Sequence, residues 1–107
     1  RNAMDICVPE KYGADFCLMV STDDFEPFLS YGDYIAVKRC NGLEHGDWGV
    51  FSLNGYQVKR VNKSAGMCRL ESINGNIEPI VVGDLLDKLT IGKVVYTIRH
   101  KMKDEQN

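Results

Sequence analysis

Apolar residues in this chain come in short blocks, broken at regular intervals by Gly, Asp, Asn or Pro. Phe16 to Val20 and Tyr34 to Val37 are continuous apolar runs bounded in this way, a pattern that suits buried strands better than helices. Trp48 to Leu53 and Tyr56 to Val61 flank Asn54-Gly55, the pair best able to take the positive φ angles of a two-residue type I′ turn, so a hairpin is predicted there. Side chains in a strand point alternately to opposite faces. Tyr56, Val58 and Arg60 therefore share one face of the second hairpin strand, and Gln57, Lys59 and Val61 the other. Met67 to Ile73 reads as a further strand, entered through Lys63-Ser64-Ala65-Gly66, and Asn74-Gly75-Asn76 interrupts the chain before the segment Pro79 to Val82. Between Gly83 and Asp87 only Leu85 and Leu86 are apolar, which predicts a loop or one helical turn. Leu89 to Ile98, rich in β-branched residues, predicts a long closing strand. Many short strands, recurrent turns and almost no helix define an all-β domain.

Composition narrows this picture. A chain of 107 residues suffices for one small core, not for that core and a separate DNA-binding domain. Arg1-Asn2-Ala3 ahead of Met4 resembles the remnant of a cleaved expression tag. The expected organisation is then a lead-in over 4–15, the domain proper over 16–99 and a frayed polar tail over 100–107. Apolar residues at 44% and charged residues at 26% are ordinary for a globular protein, and no apolar run approaches the roughly 20 residues of a membrane span. A net charge of −2 offers no global basic field for nucleic acid. Lys38, Arg39, Lys59, Arg60 and Lys63 are the one basic concentration, and intervening turns make it read as a solvated face. Cys7, Cys17, Cys40 and Cys68 contain no Cys-x-x-Cys pair, and His45 and His100 add no ligand-like spacing. The expectation is therefore no metal, no cofactor, and buried free thiols in a reducing cytoplasm.

One ordered set of segments carries chemistry. Val20-Ser21-Thr22-Asp23-Asp24-Phe25-Glu26-Pro27 is followed by Gly32-Asp33-Tyr34-Ile35-Ala36-Val37, then Val58-Lys59-Arg60, Leu70-Glu71-Ser72-Ile73-Asn74, Glu78-Pro79-Ile80 and Ile91-Gly92-Lys93-Val94-Val95. In order and spacing this resembles the C-terminal domain of LexA-type and phage-type repressors. These read roughly Val-x-Gly-Asp-Ser-Met-x-Pro, Gly-Asp-x-Val-x-Val, Val-Lys-Arg, Leu-x-x-x-Asn, Pro-Ile and Gly-x-Val-Val. The resemblance covers most of residues 16–99 and implies a twisted, partly barrel-like sheet of the kind shared with signal peptidases.

It also implies a Ser-Lys self-cleaving peptidase site, in which a serine hydroxyl attacks and a desolvated, neutral lysine is its general base. On that pattern Asp24 occupies the nucleophile position and Lys59 the general-base position, flanked by Asp23, Phe25 and Pro27. A carboxylate is a far poorer nucleophile than an alkoxide and holds a neighbouring lysine charged, so the resemblance predicts an inert site with an Asp24–Lys59 ion pair. Using Ser21 instead would shift Pro27, Gly32 and Asp33 out of the pattern. Catalysis by an Asp-Lys pair lacks a second working carboxylate, since Asp23 reads as a turn cap. Gly32 and Gly46, each followed by aspartate, read as tight turns. Phe25, with Phe28 and Leu29, either lines a groove or packs.

The self-cleaving relatives carry an Ala-Gly scissile bond in a linker. Here Gly13-Ala14 has the reverse order and lies too close to the first strand. What the resemblance leaves is a homodimerising C-terminal domain that meets DNA only through an N-terminal helix-turn-helix domain absent from this chain, with a recombinase-type inducer as a further expected partner. The alternatives are a Ser-Lys autopeptidase disabled at Asp24 by engineering, an unusual Asp-Lys hydrolase, and a signal-peptidase relative, the last opposed by the lack of a membrane anchor.

Overall fold

The structure, a computed structural model, describes residues 7–100. The supposed tag remnant, the start of the lead-in and the tail after His100 lie outside the described residues. Strands β1 (Phe16–Met19), β2 (Tyr34–Arg39), β3 (Trp48–Ser52), β4 (Tyr56–Ser64), β5 (Met67–Glu71), β6 (Ile80–Val81) and β7 (Thr90–Ile98) form one seven-stranded sheet in the order β1-β2-β7-β3-β4-β5-β6. The sheet is all antiparallel and open, with β1 and β6 at its edges, rather than closed into a barrel. Among the described residues, helix is limited to 3₁₀ turns at Pro9–Tyr12 and Gly83–Leu85 and the four-residue α1 (Leu86–Leu89).

The predicted hairpin turn is present, with Asn54 at φ 60° and Gly55 at φ 104°. A second two-residue turn, Ala65-Gly66, takes the same positive φ region and joins β4 to β5. Strand β4 therefore runs three residues past the expected end at Val61. The last strand, β7, does not sit at an edge. It pairs with β2 on one side and β3 on the other, with register shifts at Ala36/Val37 and Val50/Phe51. Gly92 is needed where β7 crosses β2, because a Cβ there would lie 2.5 Å from the Lys38 carbonyl oxygen.

The two Gly-Asp pairs build the same device twice. At Ser30–Asp33, the Ser30 amide donates to Asp33 Oδ2 at 2.8 Å, Gly32 takes φ 96°, and Val20 exchanges backbone hydrogen bonds with Gly32 and Asp33. At Glu44–Asp47, the Glu44 amide donates to Asp47 Oδ2 at 2.8 Å, Gly46 takes φ 93°, and Val61 plays the part of Val20. Both turns launch strands, as the glycine and aspartate pattern predicts.

Two apolar clusters hold the sheet. Leu43, Phe51, Val61, Leu70, Val82 and Leu86 form one. Val20, Leu29, Ile35, Val37 and Val50 form the other, with Val58 packed against it. Val58 and Val61 thus serve different clusters from opposite faces of β4, as alternation requires. The cysteines depart from expectation. Cys7 and Cys17 are disulfide-bonded, tying the lead-in to β1, and Cys40 is an exposed thiol; Cys68 is free and half-buried. Sequence spacing cannot reveal such a pair, because the 3₁₀ turn at Pro9–Tyr12 is what folds the lead-in back to within 6.1 Å Cα–Cα.

Candidate active site

Between β1 and β2 the chain does not run extended through the Asp24 segment but coils into successive turns. The Glu26 amide donates to the Asp23 carbonyl, and the Phe28 and Leu29 amides donate to the Phe25 carbonyl. Leu29, 3% exposed, and half-buried Phe25 plug this loop into the second core cluster, leaving Asp23, Asp24 and Pro27 exposed on its outer side. Phe28 also points outward, at 53% exposed. The Glu26–Pro27 peptide is cis. The expected capping role of Asp23 falls instead to its neighbour: Thr22 Oγ1 accepts from the Asp24 amide at 3.1 Å, while the Asp23 carboxylate makes no hydrogen bond among the described residues. From the far side of the sheet, Asn74 Nδ2 donates to the carbonyl oxygens of Asp24 at 2.6 Å and Glu26 at 3.0 Å.

This loop forms one rim of a cavity of about 340 Å³ that also receives β1 and β4. Leu18, Val20, Phe25, Ile35 and Val58 give it an apolar wall. Asp24 and Lys59 both line it, so the structure brings the two predicted site residues to one cleft. They differ sharply in setting: Asp24 is exposed, and Lys59, opposite Gly49 in the β3–β4 ladder, is only 5% exposed. The expected ion pair is not formed. The ion pairs among the described residues are Lys38–Asp15, Arg60–Glu71 and Lys93–Asp47, and Lys59 takes part in none. The loop's coil, locked by Leu29 and Asn74, holds the Asp24 carboxylate at the mouth while β4 keeps Lys59 in the wall.

Burial also removes Lys59 from the expected solvated basic face. Lys38, Arg39 and Lys63 remain exposed, with the Arg39 guanidinium 5.0 Å from the centroid of the Phe16 ring, and Arg60 is drawn 3.4 Å from Glu71. Three contributors escaped sequence reasoning. Thr22 and Asn74 were visible only as turn residues and a motif letter. Ser72, buried at 5% exposed, lines the cleft, and its Oγ accepts from the Ile77 amide at 3.2 Å. Of the other hydroxyl-bearing residues on the cleft, Ser21 and Thr22 belong to the rim segment and Tyr56 to the start of β4. No group of three His, Cys, Asp or Glu residues suited to a metal occurs among the described residues.

The rim loop, the buried lysine on β4 and the clamping Asn74 occur in the order of the repressor-type pattern, and the chain as a whole answers to it. Residues 3–95 match the family described as peptidase S24-like. The chain belongs to that family, which contains the LexA and phage repressor C-terminal domains. No curated protein sequence matches it. In this S24-like domain Lys59 is buried in the β4 wall of the cleft, and Asp24 is exposed at its rim. No described helix is long and apolar enough to cross a membrane.

Proposed function

We propose that this S24-like domain is the C-terminal dimerisation module of a phage-type or LexA-like transcriptional repressor, no longer competent to cleave itself. The observation that carries the reading is Asp24 at the rim of an otherwise intact cleft. An aspartate there supplies no alkoxide to attack a peptide carbonyl, so Lys59 has no hydroxyl to activate at that position. In this reading the domain pairs two subunits, so that N-terminal helix-turn-helix domains grip a two-fold DNA site, and a recombinase-type inducer acts on the full protein. The setting is the cytoplasm, against which the Cys7–Cys17 disulfide weighs, since cytosolic thiols are kept reduced.

A second reading has its own observation. Lys59 sits in the wall of the cleft with no ion pair among the described residues, which favours a Ser-Lys autopeptidase disabled by a Ser→Asp change at one position. Asp24→Ser in the longer gene product, incubated at alkaline pH where amines are more often neutral, separates the two. The module reading expects an intact chain; a discrete self-cleavage fragment favours the peptidase. Sedimentation of the fragment as a monomer up to high micromolar concentration overturns the dimer.

A further inference from the structure

Lys59 presents a charge to the cleft that the proposed role leaves unused. The residue is 5% exposed, lines an apolar cleft and makes no ion pair among the described residues, although Asp24 stands on the same cleft. Lys59 Nζ is not among the buried polar atoms that lack a partner, so its stem lies in the wall while the ammonium reaches the open space of the cleft. A cation presented to an apolar cleft is a ready partner for an anion that enters it.

We propose that the cleft binds the free C-terminal carboxylate of a peptide whose last residue is apolar, with Lys59 as the partner of the anion. The proposal rests on reading the domain as a binding module rather than a peptidase. Ser72 adds a second donor. It stands one residue past the end of β5 and lines the same cleft as Lys59. Ser72 Oγ accepts from the Ile77 amide, which leaves its hydroxyl hydrogen free to donate. Lys59 and Ser72 together match the two oxygens of one carboxylate, a charge-assisted arrangement.

The rest of the cleft fits a peptide end. Its apolar wall of Leu18, Val20, Phe25, Ile35 and Val58, with a volume of about 340 Å³, accommodates one large aliphatic side chain with its backbone. Strand β1 is a sheet edge, laddered only to β2 among the described residues, and Leu18 and Met19 line the cleft. Its outer N–H and C=O groups are available to an extended backbone. A terminal carboxylate sits on that backbone itself, so strand pairing with β1 and the ion pair with Lys59 are made by one short unit. Exposed Asp24 at the rim repels acidic residues farther along the peptide and favours basic ones.

The experiment is a calorimetric titration of this chain at low salt with acetyl-Lys-Ala-Ala-Val-Leu bearing a free carboxylate, and with the same peptide as its C-terminal amide. The acid binds at least about tenfold more tightly than the amide, as loss of a charge-assisted bond predicts. Lys59→Met abolishes that preference with the far-ultraviolet circular dichroism unchanged, and Ser72→Ala reduces it. Equal binding of acid and amide, a preference that survives Lys59→Met, or equal binding of an amidated peptide carrying an internal glutamate overturns the proposal. So does binding of neither peptide. If that same sample sediments as a dimer, the module reading stands without this ligand; self-cleavage of Asp24→Ser is what removes the module reading.

Discussion

The Asn74 carboxamide nitrogen donates to the carbonyl oxygens of Asp24 and Glu26, at 2.6 and 3.0 Å, joining positions 50 and 48 residues apart. One side chain on the loop after β5 thereby fixes the backbone on which Asp24 is carried. Asn74→Ala removes both bonds. At about 1 kcal/mol for a typical intramolecular hydrogen bond, less where water can replace it, the loss of global stability is about 1 kcal/mol. The local effect is larger: amide exchange at Phe28 and Leu29 speeds up relative to the β3–β4 hairpin. Unchanged exchange at those amides contradicts a clamping role.

Asp33 and Asp47 occupy twin turns but unequal environments. Asp33 is 2% exposed and its carboxylate also accepts from the His100 amide at 2.7 Å, whereas Asp47 is half-buried and faces Lys93 at 3.7 Å. Asp33→Ala leaves two backbone donors without their acceptor and costs about 3 kcal/mol; Asp47→Ala, with water at hand, costs about 1 kcal/mol. Urea denaturation of the two variants measures the difference, and equal losses contradict the assignment.

Gly92 is a steric requirement of the central strand. Its would-be Cβ meets a backbone carbonyl, not the movable end of a side chain, and β2 is held on both sides and cannot retreat. Gly92→Ala is expected to destabilise by about 3 kcal/mol, whereas Gly42→Ala, where nothing lies within 4 Å, changes little. Thermal midpoints of the pair check this.

Lys59→Met keeps the aliphatic volume and removes an amine that has no ion pair among the described residues. Replacing buried ionic groups by apolar ones of similar size is often stabilising, and a gain of about 1 kcal/mol raises the midpoint by roughly 4 °C. A lower midpoint in the ligand-free protein means that the amine has a partner within the fold.

Much of the secondary structure was legible beforehand because its causes are short-ranged. Alternation along Tyr56–Val61 placed Val58 and Val61 on opposite faces. Asn54-Gly55 announced its hairpin through its tolerance of positive φ, and Gly32 and Gly46 announced their turns. The end of β4 was missed because Ala65, a residue with no turn preference, takes φ 56° there, with Gly66 as its partner in the turn.

The candidate site was legible as letters but not as geometry. Sequence by itself determined most of the strands, the two Gly-Asp turns and the family pattern with Asp24 and Lys59 in it, all of which follow from local periodicity, backbone preference and residue chemistry. Only the tertiary structure decided that Cys7 meets Cys17, that Asn74 clamps the Asp24 loop, and that Lys59 is buried while Asp24 stays at the rim without pairing with it. These depend on a strand order in which β7 separates β2 from β3 and on a loop coiled by the burial of Leu29. Long-range packing of that kind leaves no periodic trace in the chain, so the distance between two charges could be known only once the sheet had brought them to one cleft.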